Sequence, residues 1–252
     1  MEIHNAFYGK GEIIDYENVI EWTVVDPDNE IKTGDLLLYS ASGILSSIIK
    51  GFTFSKWNHI GVACWCNLKM NDGLEKTELF CYEMGSQPYE DLMTRKIVDR
   101  GVRLVRFENL TEMYDLISVR KIKRGSEWEL QRFVEFMHEW KDTPFPNAFV
   151  LLKAYALRPG YSKGQVTCAQ LVALMLHHMK IINLTFDPSQ LTPGHYSHGS
   201  QAFRSSIFRG KEIIIYRDTK WLTKRQIFIF IIVVVLIIIV LILHKKKWRN
   251  MR

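Results

Sequence analysis

The stretch KWNHIGVACW, residues 56–65, decides the fold class because it reads as a β-strand with two unequal faces. Its apolar face suits a hydrophobic core and carries Ile60, Val62 and Cys64. The opposite face combines a histidine with small residues and carries His59, Gly61, Ala63 and Trp65. The small residues leave room beside His59, which points to a functional side chain. From this stretch alone, a core histidine that is hydrogen-bonded to a carbonyl is the alternative.

A second strand follows and forms a hairpin with the first. Residues 67–76 carry the turn signal Asn-Asp-Gly, and ELFCYEMG at 78–85 is the returning strand. Because side chains alternate, His59 and Glu83 share a face only if the loop has an odd number of residues, and they are directly opposed if it is centred on Asn71. A carboxylate beside an imidazole fixes its tautomer and favours its charged form. The alternative for Glu83 is a solvent-facing strand residue.

The remaining pattern predicts an α+β fold, in which a small antiparallel sheet packs against helices. Further strands are predicted at 34–40, 101–107, 114–122 and 211–218. Helices are predicted at 42–52, from a Ser126–Glu129 capping box through Trp140, at 147–157, and from residue 168 onward. Residues 158–166 are predicted to form a loop.

The last of these helices begins with TCAQLVA, in which Thr167 and Gln170 have the spacing of a capping box. Cys168 therefore lies in the first turn, where free N–H groups and the helix dipole favour a thiolate and can bind an oxyanion. A thiol nucleophile needs a base, and the base needs an orienting group. Cys168, His59 and Glu83 are thus the candidate catalytic residues. The alternative for Cys168 is a small buried apolar residue.

These segments resemble the permuted NlpC-type cysteine hydrolases, papain-fold proteins of the YiiX/YebB-like and LRAT-like group that also occur in poxviruses and other large DNA viruses. The resemblance covers roughly residues 33–200 and is carried by GDLLLY, FSKWNHIGVA, the Glu on the next strand, TCAQLVA and SQLTPGHY. It implies a circularly permuted papain-like fold, with Cys168 as nucleophile, His59 as base and Glu83 as third polar residue. LRAT-like enzymes often have a second histidine at the position of Glu83, so the chain is more similar to the YiiX-like proteins.

The C-terminal region predicts a membrane anchor. Residues 227–243, IFIFIIVVVLIIIVLIL, are seventeen apolar residues without a charge. Their helix would reach ~25 Å, and flanking Trp, Lys and Arg side chains can extend it towards the ~30 Å of a hydrocarbon core. MEIHNAFYGKGEII at the start has no signal-peptide pattern. We therefore expect a single C-terminal transmembrane helix, with the N-terminal domain facing the cytosol, on a host or virion membrane if the protein is viral.

The resemblance and the predicted anchor together divide the chain into five parts: an N-terminal extension (1–32), a hydrolase domain (33–218), a linker (219–226), a transmembrane tail anchor (227–243) and a basic tail (244–252). The cysteines show no disulfide-dense pattern, which agrees with a reducing compartment.

Charge and histidine spacing argue against two other classes of protein. The net charge is +6, but eight Lys or Arg residues lie from residue 220 onward, so no nucleic-acid partner is expected. Four further histidines could join Cys168 in a zinc site: His177, His178, His195 and His198. Their spacing is irregular, and we expect neither a metal nor another cofactor. Tyr39 is a weaker candidate for an oxyanion donor, and a core tyrosine is the simpler interpretation.

The sequence therefore predicts a membrane-anchored thiol hydrolase that cleaves an amide or ester bond through an acyl-thioester. The substrate stays open among a peptide, a peptidoglycan-like amide, a lipidated protein and a lipid. One alternative is an LRAT-like lipid acyltransferase or phospholipase, which an apolar groove beside Cys168 would indicate. The other is a catalytically inactive, anchored structural or virion protein, which a buried Cys168 distant from His59 would indicate.

Overall fold

The structure is a computed structural model that describes residues 16–125, 128–146, 166–200, 203 and 207–217. The predicted helix at 147–157, most of the loop after it and the apolar segment 227–243 lie outside the described residues. Among the helices that are described, none has the length and apolar character needed to cross a bilayer.

The described residues form nine strands and four α-helices. The strands are β1 (Val19–Val25), β2 (Leu36–Ser40), β3 (His59–Met70), β4 (Glu75–Gly85), β5 (Tyr89–Asp91), β6 (Lys96–Val98), β7 (Gly101–Arg106), β8 (Leu116–Arg120) and β9 (Ile213–Arg217). The helices are α1 (Ile44–Thr53), α2 (Phe107–Thr111), α3 (Leu130–Trp140) and α4 (Cys168–His178). Short 3-10 helices span Tyr16–Asn18, Pro188–Gln190 and Pro193–Tyr196.

Seven of the strands make one antiparallel sheet, in the order β7-β4-β3-β2-β8-β9, with β1 also paired to β3. The predicted α+β class with an antiparallel sheet packed against helices is confirmed. Strand β3 has 12 residues, which is long enough to pair with β2 through its first part and with β1 through its second part. Residues 19–25, placed by the sequence in an N-terminal extension, thus form part of the sheet.

The two faces of the sheet are covered differently, as the pattern of residues 56–65 predicts. One face packs Ile60, Val62 and Cys64 against α3 and α4 in the larger hydrophobic core. The other face carries Ala63 in a smaller core with Leu37 and with residues of α2. His59, Gly61 and Ala63 alternate with the first set, so His59 belongs to the face with the smaller core.

One row of residues runs across the sheet at the end where β3 begins. His59 pairs with Tyr39, Tyr39 with Ile117, and Ile117 with Tyr216. Strand β9 ends one residue beyond this row, at Arg217. The histidine and the end of the last strand therefore lie at the same end of the sheet.

The hairpin register corrects one expectation and confirms another. Gly61 pairs with Glu83 and Val62 with Tyr82, so the β3–β4 loop is centred on Asp72 and not on Asn71. The reason is the loop conformation, in which Gly73 adopts a φ of 83° that glycine tolerates best. His59 and Glu83 are therefore diagonal neighbours and not directly opposed. They still share one face, because an odd number of residues, 70–74, separates the paired residues Lys69 and Glu75.

The start of α3 differs from the prediction. The helix begins at Leu130, with Glu129 in an extended conformation at its N-cap and no side-chain capping bond. Glu129 is therefore not at the third helical position that the capping box required, and Ser126 lies outside the described residues. Helix α4 begins where its capping box predicts.

Candidate active site

The first turn of α4 positions Cys168. The N–H of Thr167 donates to Oε1 of Gln170 at 2.6 Å, and the N–H of Gln170 donates to Oγ1 of Thr167 at 3.3 Å. This reciprocal capping box makes Cys168 the first residue of the helix, as predicted. The hydroxyl of Tyr196 donates to the carbonyl of Ala169 at 2.6 Å and holds the same turn from the other side. Cys168 is thereby fixed at a helix N-terminus, with only 4% of its surface exposed.

His59 lies between the cysteine and a carboxylate. Its Nε2 is 2.7 Å from Oε2 of Glu83. Cys168 lies close enough to His59 to raise the pKa of His59. The structure therefore brings together the three residues that the sequence selected, from β3, β4 and the start of α4.

Arg103 on β7 completes this arrangement and is not among the residues predicted from the sequence. It pairs with Glu83 across the β4–β7 ladder. Its Nε and Nη2 donate to Oε1 of Glu83 at 2.9 and 2.6 Å. Oε1 therefore receives the arginine, whereas Oε2 is left to His59. Both Glu83 and Arg103 are buried, so the ion pair is shielded from water.

Two glycines provide the space for these side chains. A Cβ atom at Gly61 would lie 2.3 Å from Sγ of Cys81 and 3.2 Å from Cβ of Glu83. A Cβ atom at Gly85 would lie 2.0 Å from Nη2 of Arg103. The small residue beside His59 is therefore needed because side chains from β4 fill the space above it.

The electrostatics of the site favour a charged histidine and a charged carboxylate. Burial opposes protonation of His59, but the nearby Cys168 and Glu83 outweigh it and raise the pKa of His59 to about 10. Burial also opposes ionisation of Glu83, but Arg103 and His59 outweigh it and lower the pKa of Glu83 to about 2. At neutral pH the site thus holds an imidazolium beside a carboxylate.

Two tyrosines pack against the imidazole. The ring of Tyr114 stacks on His59 with centroids 5.6 Å apart and an angle of 6° between the planes. Tyr39 lies beside both rings, with its ring centroid 5.5 Å from that of His59 and 4.6 Å from that of Tyr114. The hydroxyl of Tyr39 donates to Sγ of Cys81 at 3.0 Å, which supports the core-tyrosine interpretation over an oxyanion donor. Burial raises the pKa of both tyrosines, so both rings are neutral.

The other histidines considered for a metal site make local contacts. Nδ1 of His177 is 3.2 Å from the carbonyl oxygen of Ile182, and Nδ1 of His195 accepts the N–H of Thr192 at 2.9 Å. The ring of His178 packs against Phe136 at 5.6 Å between centroids, and the backbone N–H of His198 donates to Glu212. Within the described residues, no group of three or more His, Cys, Asp or Glu side chains is arranged to hold a metal ion.

Arg103 could have been identified from the sequence only if the pairing register of β4 and β7 were known. In GVRLVRF, Val102 and Leu104 alternate with Arg103 and Val105, which places a cation at an inward-facing position. A buried arginine requires a carboxylate partner, and the β4 strand offers Glu83 on the matching face. Tyr114 gives no comparable signal, because it lies in the turn between α2 and β8.

Comparison with known proteins gives a distant likeness among solved structures. No family model matches the chain, and no curated protein matches it. Among solved structures, the chain is similar to the crystal structure of metalloprotein yiiX from Escherichia coli O157:H7, with 14% sequence identity and a TM-score of 0.40. The match covers 60% of this chain and 67% of that chain.

Proposed function

We propose that this protein is a thiol hydrolase that cleaves an amide or ester bond, with Cys168 as nucleophile, His59 as acid and base, and Glu83 as the group that holds His59. The observation that carries the proposal is the position of His59, which lies beside a helix-start cysteine and 2.7 Å from a buried carboxylate. The inactive alternative predicts a buried Cys168 distant from His59. Cys168 is buried, but its proximity to His59 favours the enzyme.

Acylation begins from a thiolate–imidazolium pair. The Cys168 sulfur forms a bond to the substrate carbonyl carbon, and the electron pair of the C=O π bond moves to the oxygen. The N–H groups of Cys168 and Ala169 in the first turn of α4 would hold this oxyanion, since the first N–H groups of a helix have no intrahelical acceptor. The imidazolium then gives its proton to the leaving nitrogen or oxygen as that bond breaks. The products are an acyl-thioester, a neutral His59 and the released amine or alcohol.

Deacylation reverses the role of the histidine. Neutral His59 takes a proton from water while the water oxygen attacks the thioester carbonyl. The tetrahedral intermediate expels the Cys168 thiolate and releases a carboxylic acid. Glu83 stays ionised in both steps and stabilises the imidazolium whenever it forms.

The test is the reaction of each cysteine with iodoacetamide near neutral pH and with an acyl-transferring thiol probe. Cys168 should react fastest, because burial raises the pKa of the Cys64 and Cys81 thiols and neither lies at a helix start. Cys168→Ala should abolish acylation, whereas the control Cys64→Ala should retain it. His59→Ala should slow alkylation of Cys168 and lower turnover by roughly 10²–10⁴-fold. Glu83→Gln should have a smaller effect on alkylation.

The proposal would be wrong if all four thiols reacted at the same rate and neither His59→Ala nor Glu83→Gln changed it. The structural, non-catalytic interpretation would then be the better one. Turnover of a peptide amide, compared with that of a lipid ester by the same preparation, would assign the bond type.

We also propose that residues 227–243 hold this domain at a membrane. The support is the seventeen-residue apolar run and its basic flanks. The full chain should float with phosphatidylcholine vesicles in a density gradient. A chain lacking residues 221–252 should stay at the bottom and keep its circular dichroism spectrum. Aggregation with loss of secondary structure would instead place the apolar run in the core.

A further inference from the structure

We propose that Arg103 is a positioning residue of this site, which keeps Glu83 ionised and turned so that one carboxylate oxygen always faces His59. The inference rests on the thiol-hydrolase function proposed above. It assigns to Arg103 a role that acts through Glu83, without contact with the substrate.

The first support is how the two carboxylate oxygens are divided. Nε and Nη2 of Arg103 both donate to Oε1, at 2.9 and 2.6 Å, and Nε2 of His59 lies 2.7 Å from Oε2. Two charge-assisted hydrogen bonds from one guanidinium hold Oε1 in place. The other oxygen of Glu83 is thereby aimed at the imidazole.

The second support is that Arg103 is itself held in place by groups outside the catalytic residues. Its Nη1 donates to the carbonyl of Val98 at 3.2 Å and also to the carbonyl of Gln87. Its guanidinium lies 5.0 Å from the ring centre of Tyr89. Gly85 leaves the space that the guanidinium occupies. Arg103 is therefore held in one position, and its hydrogen bonds position Glu83.

The third support is the set of groups that face Glu83. Six titratable side chains from β2, β3, β4, β5, β7 and the turn after α2 interact with it: Tyr39, His59, Cys81, Tyr89, Arg103 and Tyr114. Among these six, Arg103 and His59 are the cations, and burial raises the pKa of Tyr39, Cys81, Tyr89 and Tyr114, so these four are neutral at pH 7. Without Arg103, His59 would be the one cation of these six that opposes the effect of burial on the pKa of Glu83. A protonated Glu83 no longer stabilises the imidazolium, so the site would fail first at acidic pH.

The experiment measures alkylation of Cys168 by iodoacetamide from pH 5 to pH 8 in the full chain. It compares wild type, Arg103→Met and Arg103→Lys with the control Arg106→Met, which removes an arginine from the same strand that pairs with Glu78 instead. A ¹³C NMR titration of the Glu83 carboxyl accompanies the rates.

Arg103→Met should slow alkylation more at pH 5 than at pH 8, by about tenfold for each unit by which the Glu83 pKa exceeds 5, and at most to the rate of Glu83→Gln. Arg103→Lys should restore most of the acid-side rate, because it keeps a cation beside Oε1. Arg106→Met should leave the pH profile unchanged. A role in folding alone would instead lower the rate by one factor at every pH.

A further pair of variants covers the case in which Arg103→Met does not fold. Glu83→Gln and the double variant Glu83→Gln/Arg103→Met should share one pH profile, because neither has a carboxyl to titrate at this position. Different profiles for the two, or an unchanged Glu83 titration in Arg103→Lys and Arg103→Met, would overturn the role of Arg103. Equal alkylation of all four wild-type cysteines would instead overturn the thiol-hydrolase proposal. The carboxyl titration would still show whether Arg103 sets the pKa of Glu83.

Discussion

Two Glu–Arg pairs join strands β4 and β7, and they use the same chemistry in different ways. Arg106 grips both oxygens of Glu78, with Nε 2.7 Å from Oε2 and Nη2 3.3 Å from Oε1. Arg103 places both of its donors on one oxygen of Glu83, and His59 occupies the other. The first arrangement completes an ion pair, whereas the second leaves half of the carboxylate for a third residue.

The two carboxyl groups also respond to their arginines differently. Burial raises the pKa of Glu78, and Arg106 does not outweigh that effect, with Glu108 nearby acting in the same direction as burial. Burial of Glu83 is more complete, yet Arg103 and His59 together lower its pKa to about 2. Arg106 therefore does not bring the pKa of Glu78 below its ordinary value, whereas Arg103 and His59 together lower that of Glu83.

Removing each arginine in turn and measuring the free energy of unfolding tests most directly whether the two pairs differ. Arg103→Met leaves a buried carboxylate that has lost its arginine and keeps His59 as its cation partner, and it should lower the free energy of unfolding by about 3–5 kcal/mol. Arg106→Met affects a pair that keeps access to water and should lower it by about 1 kcal/mol or less. Urea unfolding at pH 7 measures both. Equal losses would show that the environment of the two pairs does not matter.

A pH series should show that the two carboxyl groups change the free energy of unfolding in opposite directions. The pKa of Glu83 falls from 4.5 to about 2 on folding, so its contribution is present above pH 4.5 and is lost as pH falls towards 2. That contribution is roughly 3 kcal/mol. Glu78 has a raised pKa, so its ionisation disfavours the folded state and acid relieves it.

Glu83→Gln should therefore flatten the fall in stability between pH 5 and pH 2, and Glu78→Gln should steepen it slightly. The free energy of unfolding from urea titrations at several pH values gives both slopes. Parallel curves for wild type and Glu83→Gln would contradict the depressed pKa of Glu83.

The smallest expected effect concerns the space that only the Arg103 pair needs. Gly85→Ala would place a methyl group 2.0 Å from Nη2 of Arg103, and the overpacking should destabilise the protein by about 1–3 kcal/mol. Gly51→Ala in α1 is a matched control, because no atom lies within 4 Å of its Cβ position, and it should stabilise the helix by about 0.5–1 kcal/mol. Thermal unfolding of both variants measures the difference. A neutral Gly85→Ala would mean that Arg103 moves aside freely.

Local patterns predicted the parts of the site that depend on neighbours in sequence. The capping box of Thr167 and Gln170 is complete within four residues, so the position of Cys168 followed directly. The shared face of His59 and Glu83 followed from alternation, because parity survives a small error in the loop centre. The sequence left the loop centre open between direct and diagonal pairing, because the turn conformation depends on Gly73.

The parts of the fold and of the site that depend on pairing between strands distant in sequence could not be predicted from these local patterns. Arg103 meets Glu83 because β7 pairs with β4, and no spacing within the chain specifies that register. Strand β1 joins the sheet because β3 is longer than its partner β2, which the segment around His59 does not reveal. The Ser126–Glu129 pattern failed for the opposite reason, since four residues matched a capping box although the helix starts later.

The row from His59 to Tyr216 has a consequence for how the protein meets its substrate. Strand β9 ends at Arg217 at the histidine end of the sheet, and nine residues separate Arg217 from Ile227. A chain of that length reaches at most about 35 Å. With residues 227–243 inserted in a bilayer as proposed, the site would be a tethered catalyst confined to a layer of that thickness. Substrates on the same membrane would then meet it at a high effective concentration, which the length of the tether sets.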